Sequence, residues 1–199
     1  MVYRVIGVSC GQSMDGLDII CTEFTEIGGK WSYAIIAEET AQVNDFWKEQ
    51  LAVASKMAVL EYQLLHTAFG QFIGEQVNHF IHHHNLAHTI QLIASQGYTL
   101  FHLPERKISA QLGHGAFIAA VTKLPVVSDL CSLDMAFGGR GEPLNAITSK
   151  LLQSENSSLP LTVALLGVLR WREETTLLGS SSGAERDSIG GAMWLGTEA

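Results

Sequence analysis

A mixed α/β fold is predicted by three features of this sequence. Apolar runs separated by glycine turns open the chain, one long helical stripe follows, and β-branched runs return after it. The order β-β-β-α-β, with further helix and strand signals behind it, departs from the strict strand–helix alternation of a dinucleotide-binding fold. Neither GxGxxG nor GxxxxGK(S/T) occurs.

Residues 3–9 read as a strand ending at Gly11, and residues 17–24 as a second strand, so Gly11 to Gly16 forms the turn of a hairpin. Ile27-Gly28-Gly29-Lys30 is another turn signal, and residues 31–38 make a third strand, giving an antiparallel meander. From about Asn44 the period changes. Leu60, Leu64, Ala68, Phe72, Gln76 and Phe80 recur at i+4, flanked by Leu65, Phe69, Ile73, Val77 and Ile81, which predicts a long amphipathic helix. Residues 89–95 are then a strand, 99–102 and 108–112 further short strands, 115–123 a short helix and 125–129 a buried strand. A polar, serine-rich link at 153–158 precedes a helix over 161–172, and residues 179–196 are rich in glycine and serine.

The 199 residues carry 12 Lys plus Arg against 20 Asp plus Glu, with 47% apolar and 16% charged residues, which excludes a disordered chain. A net charge of −8 argues against binding to a nucleic-acid backbone, which needs a basic face to displace counterions. Cys10, Cys21 and Cys131 are odd in number and lack CxxC spacing, so the expectation is a reducing cytoplasm without disulfides or zinc knuckles. No signal-peptide pattern opens the chain. Residues 76–104 lack Asp, Glu, Lys and Arg, but their six histidines and several amides and hydroxyls break the apolarity that a membrane span requires.

Three clusters carry chemistry. Gly11-Gln12-Ser13-Met14-Asp15-Gly16-Leu17-Asp18 joins two strands and combines glycines, a hydroxyl and two carboxylates. Such a turn can aim backbone N–H groups at an anion, with Asp15 or Asp18 holding Mg²⁺ through water; a DG pair is equally a favourable hairpin turn by itself. Ser95-Gln96-Gly97-Tyr98-Thr99-Leu100-Phe101-His102 follows a buried strand and offers neutral donors and acceptors suited to sugar hydroxyls, or forms an ordinary polar turn. The third runs from Ser128-Asp129 through Asp134 to Gly138-Gly139-Arg140-Gly141, a strand leading into a glycine-rich loop. Asp129 can accept from sugar hydroxyls and Arg140 can meet an anion, while either aspartate can instead cap a helix or turn. His79 and His83 lie four apart near His82, His84 and His88, but HExxH is absent and no carboxylate or cysteine is expected nearby to complete a metal site, so the segment reads as a solvated helix end. Cys10 reads as a small buried residue.

Together these clusters resemble the anhydro-N-acetylmuramic acid kinase family, in the same order. The family pattern GTSxDGxD is met at 11–18 with Gln12 for Thr; SHGxTxxH at 95–102 with Gln96 for His; QxGxGxxIA at 111–119. The pattern VSDFRxxDxAxGGxGAPL matches 127–144 with Cys131 for Arg and Glu142 for Ala, and residues 164–170 and 183–191 are similar to the family's C-terminal segment. The resemblance implies an actin- and hexokinase-like (ribonuclease H-like) fold with a first lobe at 1–152, a link at 153–160 and a C-terminal helix with a glycine- and serine-rich segment at 161–199. It implies Mg-ATP at Gly11, Gln12, Ser13, Met14, Asp15, Gly16, Leu17 and Asp18, with Asp15 and Asp18 serving Mg²⁺ indirectly. Ser95, Thr99, Asp129, Gly138 and Gly139 are then expected to contact the sugar.

The implied reaction is ATP-dependent opening of the 1,6-anhydro ring with phosphorylation at O6, as part of cell-wall sugar recycling. The family's aspartate base and its adenosine motif have no counterpart in the sequence, and most of the second lobe is missing from the pattern, so the catalytic residue is unassigned. A sugar- or partner-binding module, a kinase for a related anhydrosugar, and association into a homo-oligomer stay open as readings.

Overall fold

In the computed structural model the described residues are 1–11, 16–136, 138–141, 150–152, 160–165, 168–169 and 193–194. β1 (Val2–Cys10), β2 (Leu17–Ile27) and β3 (Lys30–Ala41) form the expected meander, with Gly28 and Gly29 at positive φ of 59° and 80° in the turn between β2 and β3. Residues 12–15, at the tip of the first turn, lie outside the described residues. Two helices follow. α1 (Asp45–Val53) is capped by Asn44, whose Oδ1 accepts from Trp47 N at 3.1 Å, and α2 (Val59–His83) carries the long apolar stripe. The sequence shows no separate α1, because Asn44 and the break at residues 54–58 are weak signals beside a continuous apolar pattern.

β4 (Leu92–Leu103) unites two expected strands into one, and residues 89–91 precede it: Thr89 Oγ1 donates to Leu86 O at 2.7 Å in a turn. β5 (Ile108–Leu112), α3 (Gly115–Thr122) and β6 (Val126–Ser128) fall where expected. Behind β6 comes α4 (Leu130–Ala136), a short helix in place of the loop the glycines suggest, and Met193–Trp194 form β7. The link at 153–158 and the C-terminal glycine-rich segment, β7 apart, lie outside the described residues, whereas residues 160–165 and 168–169 are helical.

Among the described residues seven strands make one mixed sheet, ordered β3-β2-β1-β4-β6-β7, with β5 paired to β4 off that path. β1 is antiparallel to β2 but parallel to β4, and β4 is parallel to β6. Alternation along β1 serves both faces. Ile6, Val8 and Cys10 join Leu51, Phe69, Ile73, Val77 and Phe80 under α1 and α2, while Tyr3 and Val5 join Leu161, Ala164, Leu165 and Val168 on the opposite face. This is a mixed sheet with helices on both faces, the arrangement of an actin- or hexokinase-like lobe.

Two glycines let α2 press against α3 and the residue that caps it. A Cβ at Gly70 would lie 2.6 Å from His114 O, and one at Gly74 would lie 2.8 Å from Val121 Cβ. That close approach fixes the α3 N-terminus beside the middle of α2.

Candidate active site

The parallel strands β1, β4 and β6 run side by side, with Val8 paired to Ser95 and Ser95 to Ser128, so that β6 ends level with Ser95 while β4 continues to Leu103. Crevices beyond the carboxyl ends of such strands are where ligands bind. Directly after Ser95 the register slips, so that Ser9 faces Gly97 and Gln96 is an extra residue in β4. A bulge of this kind re-aims a side chain. Gly97 takes φ +63° because its position faces the carbonyl of Leu112, with which a Cβ would collide.

A cavity of about 490 Å³ opens here, lined by Ser95, Gln96, Ser109, Gln111, Ser128 and Asp129 from the strand side and by Tyr62, Gln63, His66 and His114 from the helix side. Among the described residues its wall carries hydroxyls, amides and imidazoles, one carboxylate, and neither lysine nor arginine. Ser95 Oγ, Gln96 Oε1 and Gln111 Oε1 are buried with no hydrogen-bond partner among the described residues. Leaving such an atom unpaired costs about 1–3 kcal/mol, so three in one wall mark a place where polar ligand atoms belong. Gln111 Nε2 donates to Cys131 Sγ at 3.7 Å, which fixes the orientation of its amide.

The helix side is rigidly built. His66 Nδ1 accepts from Gly113 N at 3.1 Å, so the ring proton resides on Nε2; His66 O accepts from His114 N at 3.1 Å. Burial, reinforced by the neighbouring His114, lowers the His66 pKa to about 4, which keeps this imidazole neutral near pH 7. His114 Nδ1 in turn caps α3 by accepting from Ala116 N at 3.2 Å, and the two rings lie 4.9 Å apart. Burial and the Asp129 carboxylate raise the Tyr62 pKa, so its hydroxyl remains a donor. Asp129 adopts φ +56° at the end of β6, and its Oδ1 accepts from Ser132 Oγ at 2.5 Å. It therefore holds the Ser132 side chain of α4 and lines the cavity.

Of the residues expected at the sugar, the structure brings Ser95 and Asp129 into one wall. Thr99 instead lies within β4, opposite Gln111 in the β4–β5 ladder. Gly138 and Gly139 wrap Asp134: Gly141 N donates to Asp134 Oδ2 at 2.7 Å, Gly139 N to Asp134 O at 2.8 Å, and a Cβ at Gly139 would collide with the Asp134 carboxylate. Asp134 thus holds this loop together, and Arg140 beside it is exposed. On the hairpin side, Gln12, Ser13, Met14 and Asp15 lie outside the described residues. Gly11 and Gly16 flank them, and the Leu17 side chain is fully buried in the core. Asp18 points to the face of the sheet opposite the cavity, where its carboxylate accepts from Thr40 Oγ1 at 2.7 Å. A second hollow of about 370 Å³ there is lined by Asp18, Glu38, Glu39 and Thr40.

Tyr62, Gln63 and His66 have no motif to announce them. Their signal was present all the same, as polar residues interrupting the apolar stripe of α2 at Tyr62 and His66, one turn apart. Cys10 is buried as expected, and burial with the Asp18 charge pushes its thiol up to about 11, far from a reactive thiolate. One reading is corrected. A carboxylate does lie beside the histidines at the end of α2, because Glu39 of β3 reaches His83 and His84 across the fold.

Sheet order and edge cavity together define a lobe of the actin- and hexokinase-like class. The family model described as anhydro-N-acetylmuramic acid kinase matches residues 3–170, and the chain belongs to that family. It is 31% identical over 177 residues to the anhydro-N-acetylmuramic acid kinase of Synechococcus elongatus, covering 84% of this chain and 46% of that one. It is 32% identical over 148 residues to that of Acinetobacter baylyi, covering 72% and 38%. The chain thus spans about half the length of the curated relatives it matches or less. Among solved structures, T. thermophilus RuvC in complex with Holliday junction substrate aligns with TM-score 0.42 at 13% identity, over 89% of this chain and 97% of that one, a likeness too loose to bear on function. No helix among the described residues is long and apolar enough to cross a membrane.

Proposed function

We propose that this chain is the sugar-binding lobe of an anhydro-N-acetylmuramic acid kinase. The cavity between β4, β6, α2 and α3 takes the 1,6-anhydrosugar, and the segment Gly11–Asp18 takes the phosphates of Mg-ATP. The observation that carries this reading is the set of three unpaired buried atoms, Ser95 Oγ, Gln96 Oε1 and Gln111 Oε1, in one wall with Asp129. Neutral hydroxyls and amides with one carboxylate among the described lining residues match the alternating donors and acceptors of a sugar.

In this reading Asp129 accepts from a sugar hydroxyl and holds it by a charge-assisted bond, while Ser95 and the two glutamines fix the ring's orientation. Thr99, Gly138 and Gly139 act at one remove, through the β4–β5 ladder and the loop around Asp134. Asp15 and Asp18 serve the hydrated Mg²⁺. The nucleotide, when bound, supplies the phosphoryl group for O6. Water attack at the anomeric carbon also needs a general base, and the family's aspartate base has no counterpart in this sequence. His66 accepts from Gly113 through Nδ1 and holds its own proton on Nε2, while Asp129 is engaged by Ser132. The base belongs to the family segment without a counterpart here. Residues 1–152 are the binding lobe, 153–160 a link, and 161–199 a segment that returns a helix to its sheet; in the family's setting the activity serves cell-wall sugar recycling in the cytoplasm.

The experiment is ADP release by the purified chain with Mg-ATP and 1,6-anhydro-N-acetylmuramic acid, with the product checked by mass spectrometry. The expected result is no turnover above background. Formation of the sugar 6-phosphate by this chain alone overturns the binding-lobe reading and makes the protein a minimal kinase.

A further inference from the structure

Away from the cavity, at the far end of α2, the fold brings together two imidazoles and a carboxylate from segments more than forty residues apart. His83 is the last residue of α2, and His84 is its C-cap with φ −94° and ψ 9°. Successive side chains on a regular helix diverge by roughly 100°, but leaving the helix at His84 lets both rings turn toward β3. There Glu39 Oε2 lies 3.1 Å from His83 Nδ1 and 3.2 Å from His84 Nε2, and one ligand atom from each residue lies within 4.8 Å of the others.

These separations match a metal polyhedron. With bonds of about 2.0–2.1 Å, the ligand atoms of a tetrahedral zinc site stand about 3.3–3.4 Å apart, close to the two distances between carboxylate and imidazoles. We propose that Glu39, His83 and His84 form a binding site for a divalent transition cation of the zinc type. Two nitrogen donors exclude Mg²⁺ and Ca²⁺, which prefer all-oxygen shells. The His83 side chain is 62% exposed, so the cation can enter from solvent and keep water as its remaining ligand. On binding, each ring passes its donor proton to its other nitrogen through solvent, and the vacated nitrogen becomes the ligand.

The site ties the edge strand β3 to the end of α2, and none of its three ligand residues lines the sugar cavity. Zinc occupancy would therefore act as a staple on the fold, independent of the proposed sugar-binding role.

The test is isothermal titration of the full chain with ZnCl₂, with MgCl₂ as the comparison. One zinc per chain is expected, with no saturable Mg²⁺ heat at this site. Glu39→Gln and His84→Ala should each weaken zinc by about tenfold or more, while His82→Ala, an exposed imidazole in the same run, leaves affinity unchanged. Circular dichroism checks that each variant is folded, and zinc should raise the melting temperature of the parent chain but not that of Glu39→Gln. Absence of saturable one-to-one binding overturns the proposal. So does retention of full affinity in both ligand variants, or an equal loss in His82→Ala, which would reveal only a diffuse histidine-rich surface.

Discussion

His66 links the chemistry of the cavity to the stability of the fold. Its pKa falls from 6.5 to about 4 in the folded chain, first through burial and then through His114. Between those values the unfolded chain binds a proton that the folded chain refuses, so stability is lost as pH falls from about 6.5 toward about 4. Nuclear magnetic resonance titration of the His66 ring should give a midpoint near pH 4; a midpoint near 6.5 would show that the ring is solvated and Gly113 N unbound to it. Gly97 makes a second residue-scale test. Its φ of +63° and the Leu112 carbonyl against its Cα leave no space for a side chain. Gly97→Ala should cost about 2 kcal/mol or more in chemical denaturation, by adding a left-handed strain to a backbone collision.

At the scale of elements, the cavity depends on how closely α2 approaches the start of α3. Phe69, fully buried in α2, packs edge-on against Trp47 of α1 at 5.2 Å between ring centroids and anchors the helix to the sheet. Phe69→Ala should destabilise the chain by about 3–5 kcal/mol through the cavity it leaves. Gly70→Ala has a different signature. Its Cβ would stand 2.6 Å from His114 O and 2.8 Å from His114 N, so relief requires moving the very segment that carries His114 and Gly113. About 1–3 kcal/mol of stability should be lost, with a drop in sugar affinity that Phe69→Ala need not share. Equal affinity in Gly70→Ala and the parent chain would separate the α2–α3 contact from the cavity.

For the whole molecule, periodicity made most elements legible. The apolar run at residues 3–9 and the flanking helical row Leu65, Phe69, Ile73 and Val77 reported buried faces, whereas Leu60 and Leu64, which open the i+4 row, are exposed. What stayed hidden has physical causes. β4 runs through Gln96 and Leu100 by slipping register at each, and a bulged strand reads in sequence as two short ones. The short helix α4 was masked by the glycines after it, whose real work is to wrap Asp134. Of the cavity, Ser95 and Asp129 were visible because each closes or follows a short buried apolar run, whereas Tyr62 and His66 come from a helix far away in sequence. Pairing of Glu39 with His83 and His84 is likewise a product of tertiary folding, which local spacing cannot report.

The central claim is that the wall of Ser95, Gln96, Gln111 and Asp129 binds a neutral part of the anhydrosugar. Its most direct test is isothermal titration of 1,6-anhydro-N-acetylmuramic acid into the parent chain, Ser95→Ala and Asp129→Asn, without nucleotide. Saturable one-to-one binding is predicted, weakened up to about tenfold in Ser95→Ala, where one neutral hydrogen bond is lost, and by about 10- to 100-fold in Asp129→Asn, where a charged one is lost. Binding unaffected by either substitution, or no binding by folded protein, would contradict the assignment of this cavity to the sugar.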